Sequence, residues 1–309
     1  MRGIAAVVLA VALLGASPQT ETQRLQAVVG AAVAHARATL GARFGIAVWD
    51  VKTGARAGAY ADRGFPLASA FKLPLAMTVL ERVDAGRLAL DRRVTVMPQD
   101  LVTYASSVAD DYAKGTRAFA LSDLITRMVR DSDNTAADTL YRIVGGASAI
   151  DGALAKAGIR GIAIRTDEAG LHRDFVAGRS FARGGDNAAT PDAYAALLKE
   201  LAVFTDPRTG PLSPSSADLL FDALSRSQTG IHRLRAGLPP KTTLAHKTGT
   251  SGRYPNGAVD ATNDAGVAFL GGGARPVIIV AFLNGARGTD DQNDAAIAKL
   301  ARAVAQAVR

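Results

Sequence analysis

The chain has 309 residues, 48% of them apolar, with 36 Lys and Arg against 28 Asp and Glu and a formal charge of +8. That length buries a full core in one large domain or two, and the apolar fraction excludes disorder. Cysteine is absent, which excludes disulfides, thiolate catalysis and cysteine-ligated zinc, and the four histidines are dispersed without an HExxH pair, so neither a metal nor a cofactor is expected. The basic residues are scattered without aromatic interleaving, so the charge reads as solubility and attraction to small anions, with no nucleic-acid partner.

Met1-Arg2, the apolar run Ile4 to Leu14 and the small residues Gly15-Ala16-Ser17 read as an export signal cut after Ala16. No later run approaches the ~20 apolar residues that span a bilayer, so the mature chain is expected off the membrane, periplasmic or secreted. From Glu21, Leu25, Val28, Val29, Ala32, Val33 and Ala36 recur at helical spacing up to Gly41. Phe44, Ile46 and Val48 alternate with Gly45, Ala47 and Trp49, and Asp50 to Gly54 turns the chain toward Ala57 to Tyr60, which predicts a hairpin.

The next helix carries Ser69 and Lys72 and runs to about Asp84, with Gly86 as its stop. Ser122 is expected to cap a helix with Leu124, Ile125, Met128 and Val129. A second helix, with Ala137, Leu140 and Val144, stops at Gly145-Gly146, and a third spans about 147–157. Residues 161–187 show little periodicity and read as a long ordered loop. Thr190-Pro191 and Ser213-Pro214 each open a helix. Thr242 to Lys247, Ala265 to Leu270 and Pro276 to Phe282 read as strands, and Asp291 to Val308 as a terminal helix. Gly271-Gly272-Gly273 lacks the lysine and helix of a phosphate loop and reads as a hairpin turn.

Both chain ends thus feed one antiparallel sheet. The expected fold is α/β (α+β): a five-stranded antiparallel sheet flanked by N- and C-terminal helices, plus an all-helical lobe. The expected division is a signal over 1–16, an α/β lobe from 21–66 and 214–309, and the helical lobe over 67–213. A ligand site is expected in the cleft between them.

Chemistry concentrates in three short motifs. In Ser69-Ala70-Phe71-Lys72 a hydroxyl and an amine share one face of a helix start, which sets a nucleophile beside a base and beside unpaired N–H groups. Serine also caps helices and lysine decorates them, so this pair alone carries no function. Ser132-Asp133-Asn134 falls at the junction of two helices, and Lys247-Thr248-Gly249-Thr250 ends a strand. A further Lys-Thr-Gly at 52–54 lies in a hairpin turn ahead of Ser69 and means nothing. The ordered set SxxK, SDN and KTG resembles the class A β-lactamases, and the resemblance extends over essentially the whole mature chain. Asn263 to Val267 and Pro276 to Val280 resemble the closing hairpin of that family.

The resemblance implies a serine hydrolase acting on a small-molecule β-lactam as a monomer. Ser69 attacks the lactam carbonyl, and the N–H groups of Ser69 and Thr250 hold the oxyanion. Lys72 serves as base or electrostatic organiser, Ser132 with Lys247 behind it relays a proton to the leaving nitrogen, and Asn134 orients Lys72 and the substrate amide. Lys247, Thr248, Gly249 and Thr250 line the substrate, with Arg233 of Thr229-Gly230-Ile231-His232-Arg233 as the carboxylate-facing arginine and Tyr104 at the cleft mouth.

The deacylating glutamate of the family maps to Glu168 in Glu168-Ala169-Gly170-Leu171-His172, 168 − 134 = 34 residues after Asn134. His172 replaces the asparagine that helps hold the water, and an imidazole can do this from either ring nitrogen. Asp167 competes with Glu168 for the base role but fits the pattern poorly. The ion pair that closes the family's loop has no clear counterpart: Arg165 is shifted by one position, and Asp186 and Asn187 both stand near the aspartate's place. Two rival readings remain. One is a D,D-peptidase or penicillin-binding protein with slow deacylation; the other is a weakly catalytic homologue that binds peptidoglycan or a protein.

Overall fold

The computed structural model describes residues 18–179, 187–202 and 212–309. The expected signal segment and Asp186 lie outside the described residues. The helix α1 (Pro18–Leu40) leads into β1 (Arg43–Asp50) and β2 (Arg56–Ala59), as the periodicity predicts. A short β3 (Phe65–Pro66) and a 3-10 turn over Ala68–Phe71 precede α2 (Lys72–Asp84). Then follow β4 (Arg93–Thr95), α3 (Ser107–Ala113), β5 (Ala118–Ala120), α4 (Leu121–Thr126), α5 (Asn134–Val144) and α6 (Ala147–Lys156). Next come β6 (Ile162–Ile164), α7 (Glu168–Val176), β7 (Asn187–Ala189), α8 (Pro191–Ala202) and α9 (Pro214–Ser225). The chain closes with α10 (Leu234–Gly237), β8 (Thr243–Thr250), β9 (Thr262–Leu270), β10 (Arg275–Asn284) and α11 (Asp290–Ala307).

The main sheet is five-stranded in the order β2-β1-β10-β9-β8, and every neighbouring pair is antiparallel, giving the α/β fold expected. Its central strand β10 is apolar from Val277 to Leu283 because both of its faces are covered. Val277, Ile279, Ala281 and Leu283 face a core shared with Leu25 and Val29 of α1 and Ile297, Leu300 and Val304 of α11. Ile278, Val280 and Phe282 face the other core, which holds Phe71, Leu75 and Val79 around α2 and Tyr194 of α8.

Two expectations need correction. Ser122 caps nothing: α4 starts at Leu121 with Ala120 in the cap position and no side-chain cap, and the Ser122 carbonyl accepts from Thr126 Oγ1 instead. The helix then widens into a π-turn over Arg127–Asp131. The described part of 161–187 is also more regular than a loop. Within them β6 pairs with β7, which pairs in turn with β3, and α7 is a nine-residue helix whose N-cap Asp167 accepts from Gly170 N at 2.8 Å. Its apolar periodicity is weak because it buries Glu168, Gly170 and Leu171, two of which carry no apolar side chain.

One glycine carries a testable constraint. Where α10 crosses α11, a Cβ on Gly237 would stand 1.9 Å from Ala298 O. Gly237→Ala must therefore push the two helices apart, and a loss of roughly 1–3 kcal/mol is expected in urea unfolding. An unchanged midpoint would show that this crossing is loosely packed.

Candidate functional site

Ser69 sits on the 3-10 turn that enters α2, with Ala68 before it at φ 44, a left-handed conformation that costs a non-glycine residue energy. The turn is pressed against β8. A Cβ at Gly249 would lie 2.1 Å from Leu67 O and 2.8 Å from Ala70 N, so glycine is required there for close backbone approach. Asn263 Nδ2 donates to Pro66 O at 2.7 Å and Leu67 O at 3.1 Å, tying the same turn to β9.

Lys72, on the first turn of α2, is fully buried. Its Nζ donates to Asn134 Oδ1 at 2.6 Å, Ser132 O at 2.7 Å, Ser69 Oγ at 3.1 Å and Ser132 Oγ at 3.4 Å, and lies 2.9 Å from Glu168 Oε1. Ser69 Oγ in turn donates to Glu168 Oε1 at 3.0 Å. A buried ammonium needs such a shell, because an unpaired charge there is heavily penalised.

Ser132 ends the π-turn in the left-handed region, φ 61 and ψ 31, which swings its hydroxyl between two amines. Lys247 Nζ donates to Ser132 Oγ at 3.0 Å and to Thr248 O at 3.1 Å. Burial, reinforced by the neighbouring Lys72 charge, holds the Lys247 amine well below the usual lysine range. Asp133 organises the junction: Oδ1 accepts from Ala136 N at 2.9 Å as the cap of α5, and Oδ2 accepts from Val108 N at 2.9 Å. Asn134 Nδ2 completes the corner by donating to Tyr104 O at 3.1 Å.

Glu168 opens α7, and its placement depends on a residue that the motifs do not include. Asp138, on α5, accepts from Glu168 N at 2.7 Å through Oδ1 and from Ala169 N at 3.0 Å through Oδ2. A carboxylate at a helix N-terminus is favoured by the exposed N–H groups and the dipole. Burial, then the nearby Asp167 charge, outweighs those hydrogen bonds and pushes the Asp138 carboxyl up to about 7. Asp138 is four residues after Asn134 and so shares its helix face, which is the signal by which sequence reasoning could have found it.

The segment before α7 is closed by Asn187. Its Oδ1 accepts from Arg165 N at 2.8 Å and Thr166 N at 3.1 Å, while Nδ2 donates to Thr166 O at 2.9 Å. Arg165 pairs with Asp151 at 2.6 Å on a half-exposed surface. Asp167 is engaged in capping α7, and its carboxylate makes no hydrogen bond to Ser69.

A cavity of about 440 Å³ opens in front of these groups, lined by Ser69, Tyr104, Ser132, Asn134, Glu168, His172, Phe175, Thr229 and Thr250 among others. Lys72, Lys247, Thr248 and Arg233 stand behind this wall. Thr248 Oγ1 is 2.6 Å from Thr229 Oγ1, so Thr229 is the hydroxyl that reaches the cavity. The buried Arg233 pairs with Asp294 at 2.7 Å, donates to Asn263 O at 2.9 Å and reaches Thr250 Oγ1 at 2.8 Å. His172 is exposed, lies against Tyr104 with ring centroids 5.0 Å apart and planes tilted at 42°, and makes no hydrogen bond to a described residue. Burial and the Glu168 charge raise the Tyr104 hydroxyl above its ordinary range. Among the described residues, no three His, Asp or Glu cluster to hold a metal.

Known proteins share this fold. The model of the family described as "Beta-lactamase enzyme family" matches residues 22–308. "Beta-lactamase VEB-1" of Pseudomonas aeruginosa is 30% identical over 262 residues, covering 84% of this chain and 84% of its own. "Extended-spectrum beta-lactamase PER-1" of the same organism is 34% identical over 244 residues, covering 78% of this chain and 75% of its own. The solved structure of the TLA-3 extended-spectrum β-lactamase is similar at a TM-score of 0.83 and 28% identity, covering 92% of this chain and 99% of that one.

The raised Asp138 carboxyl fixes the sign of a pH effect. Between pH about 4 and 7 the folded chain holds this proton and the unfolded chain has released it, so the group's contribution to stability falls as pH rises through that window. Asp138→Asn lacks the effect. The unfolding free energy of the wild type relative to this variant is therefore expected to grow as pH is lowered from 7 to 4; a constant difference would refute the assignment. Asparagine also offers one acceptor oxygen to two N–H groups, so faster hydrogen exchange is expected at the amides of Glu168 and Ala169.

Proposed function

The chain belongs to the class A β-lactamases, serine hydrolases, and we propose that it hydrolyses the β-lactam amide through an acyl-enzyme on Ser69 that Glu168 helps to release. The observation that carries this reading is the contact of one hydroxyl with two groups: Ser69 Oγ donates to Glu168 Oε1 at 3.0 Å and accepts from Lys72 Nζ at 3.1 Å. A serine hydroxyl is a poor nucleophile until its proton has somewhere to go, and Glu168 is the acceptor it faces.

In this reading Ser69 Oγ adds to the lactam carbonyl carbon as its proton moves to Glu168. Lys72, held by Asn134 and the Ser132 carbonyl, keeps the carboxylate oriented and balances the charge that develops. The tetrahedral oxygen is met by the N–H groups of Ser69 and Thr250. Collapse breaks the C–N bond, and the Ser132 hydroxyl delivers a proton to the departing nitrogen. Lys247, at 3.0 Å from Ser132 Oγ and with its affinity for a proton lowered by burial, resupplies that hydroxyl. Once acylated, Ser69 no longer donates to Glu168, and the proton that Glu168 took returns through Lys72, 2.9 Å from Glu168 Oε1 and 3.4 Å from Ser132 Oγ, to Ser132 and Lys247, which restores the carboxylate and frees Oε1 to accept from a water poised beside the ester. Thr250, oriented by Arg233 from behind, and Thr229 offer hydroxyls to the substrate carboxylate. Asn134 meets the substrate amide, and Tyr104 and His172 form one wall of the cavity.

One observation favours slow release as a second reading, with the D,D-peptidase-like outcome of a lasting adduct. His172, in the place where the family pattern has an asparagine, lies ring against ring with Tyr104 and makes no hydrogen bond to Glu168. We extend the proposal to export, with residues 1–16 removed, and to a monomer working in the periplasm or outside the cell. The apolar run Ile4 to Leu14 with small residues after it supports the first point. No helix among the described residues is long and apolar enough to cross a membrane.

A chromogenic cephalosporin followed by intact mass separates the readings. Sustained turnover is expected from the wild type, no adduct from Ser69→Ala, and a persistent adduct from Glu168→Gln with turnover reduced by at least ~10²-fold. Normal turnover in Glu168→Gln would remove Glu168 from the mechanism. A wild-type adduct that outlasts the assay would select the slow-release reading, and neither turnover nor adduct would leave a binding homologue.

A further inference from the structure

A helix-start proline creates a gap in the backbone bonding next to Ser69, and a residue far away in sequence fills it. Pro74 stands in the first turn of α2 and has no N–H to give to the carbonyl four residues back, which is that of Ala70. The Tyr194 hydroxyl donates to that carbonyl at 2.9 Å. Tyr194 lies on α8, is fully buried, and packs edge-on against Phe282 of β10 with ring centroids 5.3 Å apart and planes at 78°. Burial raises its hydroxyl far above the range where it ionises, so it remains a donor.

The position matters because the turn is strained. Ala68 is held at φ 44, and a residue kept in that region relaxes unless its surroundings over-determine it. Peptide planes on both sides of Ala70 are held. Ala70 N donates to Leu67 O at 3.1 Å, and Leu67 O is itself fixed by Asn263 Nδ2 at 3.1 Å. Those bonds set the plane between Ser69 and Ala70; the Tyr194 bond sets the next one. Without the hydroxyl, the Ala70 carbonyl is a buried acceptor whose usual helical donor does not exist, and rotation of that peptide is the route by which it finds another.

We propose that Tyr194 is a positioning residue for the nucleophile: its hydroxyl replaces the N–H that Pro74 lacks and so holds the Ser69 turn in its attacking geometry. This rests on the reading of Ser69 as nucleophile. Neither Tyr194 nor Ala70 lines the cavity, so the effect reaches substrate only through Ser69.

The test is a double-mutant cycle on the full chain. Tyr194→Phe keeps the ring and removes the donor; Pro74→Ala restores a backbone N–H to the Ala70 carbonyl. Acylation is read as kcat/KM on a chromogenic cephalosporin, alongside melting temperature and the mass of the Ser69 peptide. Tyr194→Phe is expected to lower kcat/KM about 5- to 20-fold, Pro74→Ala to stay within about 2-fold of wild type, and the double variant to recover most of the loss. A merely structural tyrosine would shift the melting temperature without this pattern. Wild-type kcat/KM in Tyr194→Phe, or a double variant whose loss is the product of the single losses, overturns the proposal. Should Tyr194→Phe fail to fold, a folded and active double variant supports it and a double variant that also fails overturns it. An adduct found on a residue other than Ser69 in the wild type would instead refute the nucleophile reading, whatever the cycle returns.

Discussion

The Lys72 ammonium is the point on which the rest of the site depends. It is fully buried, and it touches groups from three separate segments: Ser69 of its own turn, Ser132 and Asn134 of the junction before α5, and Glu168 of α7. A charge in that position is tolerated only when its shell is complete, and removing one partner of such a pair typically costs about 3–5 kcal/mol. The same need for partners that stabilises the cation draws two serine hydroxyls, an amide oxygen and a carboxylate to within hydrogen-bond reach of one atom. Packing around α2 makes the arrangement rigid, since Leu73, Leu75, Ala76, Val79 and Leu80 are all fully buried.

A second amine stands on the other side of Ser132, and its chemistry is set by the first. Lys247 is equally buried, but like charge from Lys72 adds to desolvation and pulls its proton affinity down. Two amines flank one hydroxyl, and they differ because only Lys72 has a carboxylate in contact. Environment therefore distinguishes two chemically identical side chains.

The carboxylate has its own support behind it. Asp138 grips the first two N–H groups of α7, and Asn187 closes the chain before it with three hydrogen bonds to Arg165 and Thr166. An asparagine can donate and accept in one side chain, so among the described residues this closure uses no ion pair, and Arg165 pairs with Asp151 at the surface. Asp138 bears the burden of this design, held in a buried site at the cost of a raised carboxyl.

Much of this was legible without coordinates. Alternation in 43–50, the continuous apolar run in 276–282, cap residues at 190 and 213 and the stop at Gly86 place the sheet and its helices, because hydrophobic period and capping are local properties. Ser69, Lys72, Ser132, Asn134 and Lys247 could be chosen because their motifs combine in one order. Residues 161–187 resisted, since α7 buries a carboxylate and a glycine beside a single leucine and leaves no apolar stripe to read. Thr229 and Tyr194 were likewise silent: each acts on a partner 19 or 124 residues away through a hydrogen bond that no local pattern encodes. The sequence by itself determined which side chains stand in the three ordered motifs and, outside residues 161–187, most of the segments that are helix or strand. Only the tertiary structure decided which of them meet, that Arg233 stands behind Thr250, that His172 turns to Tyr104, and that a tyrosine from α8 completes the turn beneath Ser69, because those outcomes depend on which buried polar groups find partners across the fold.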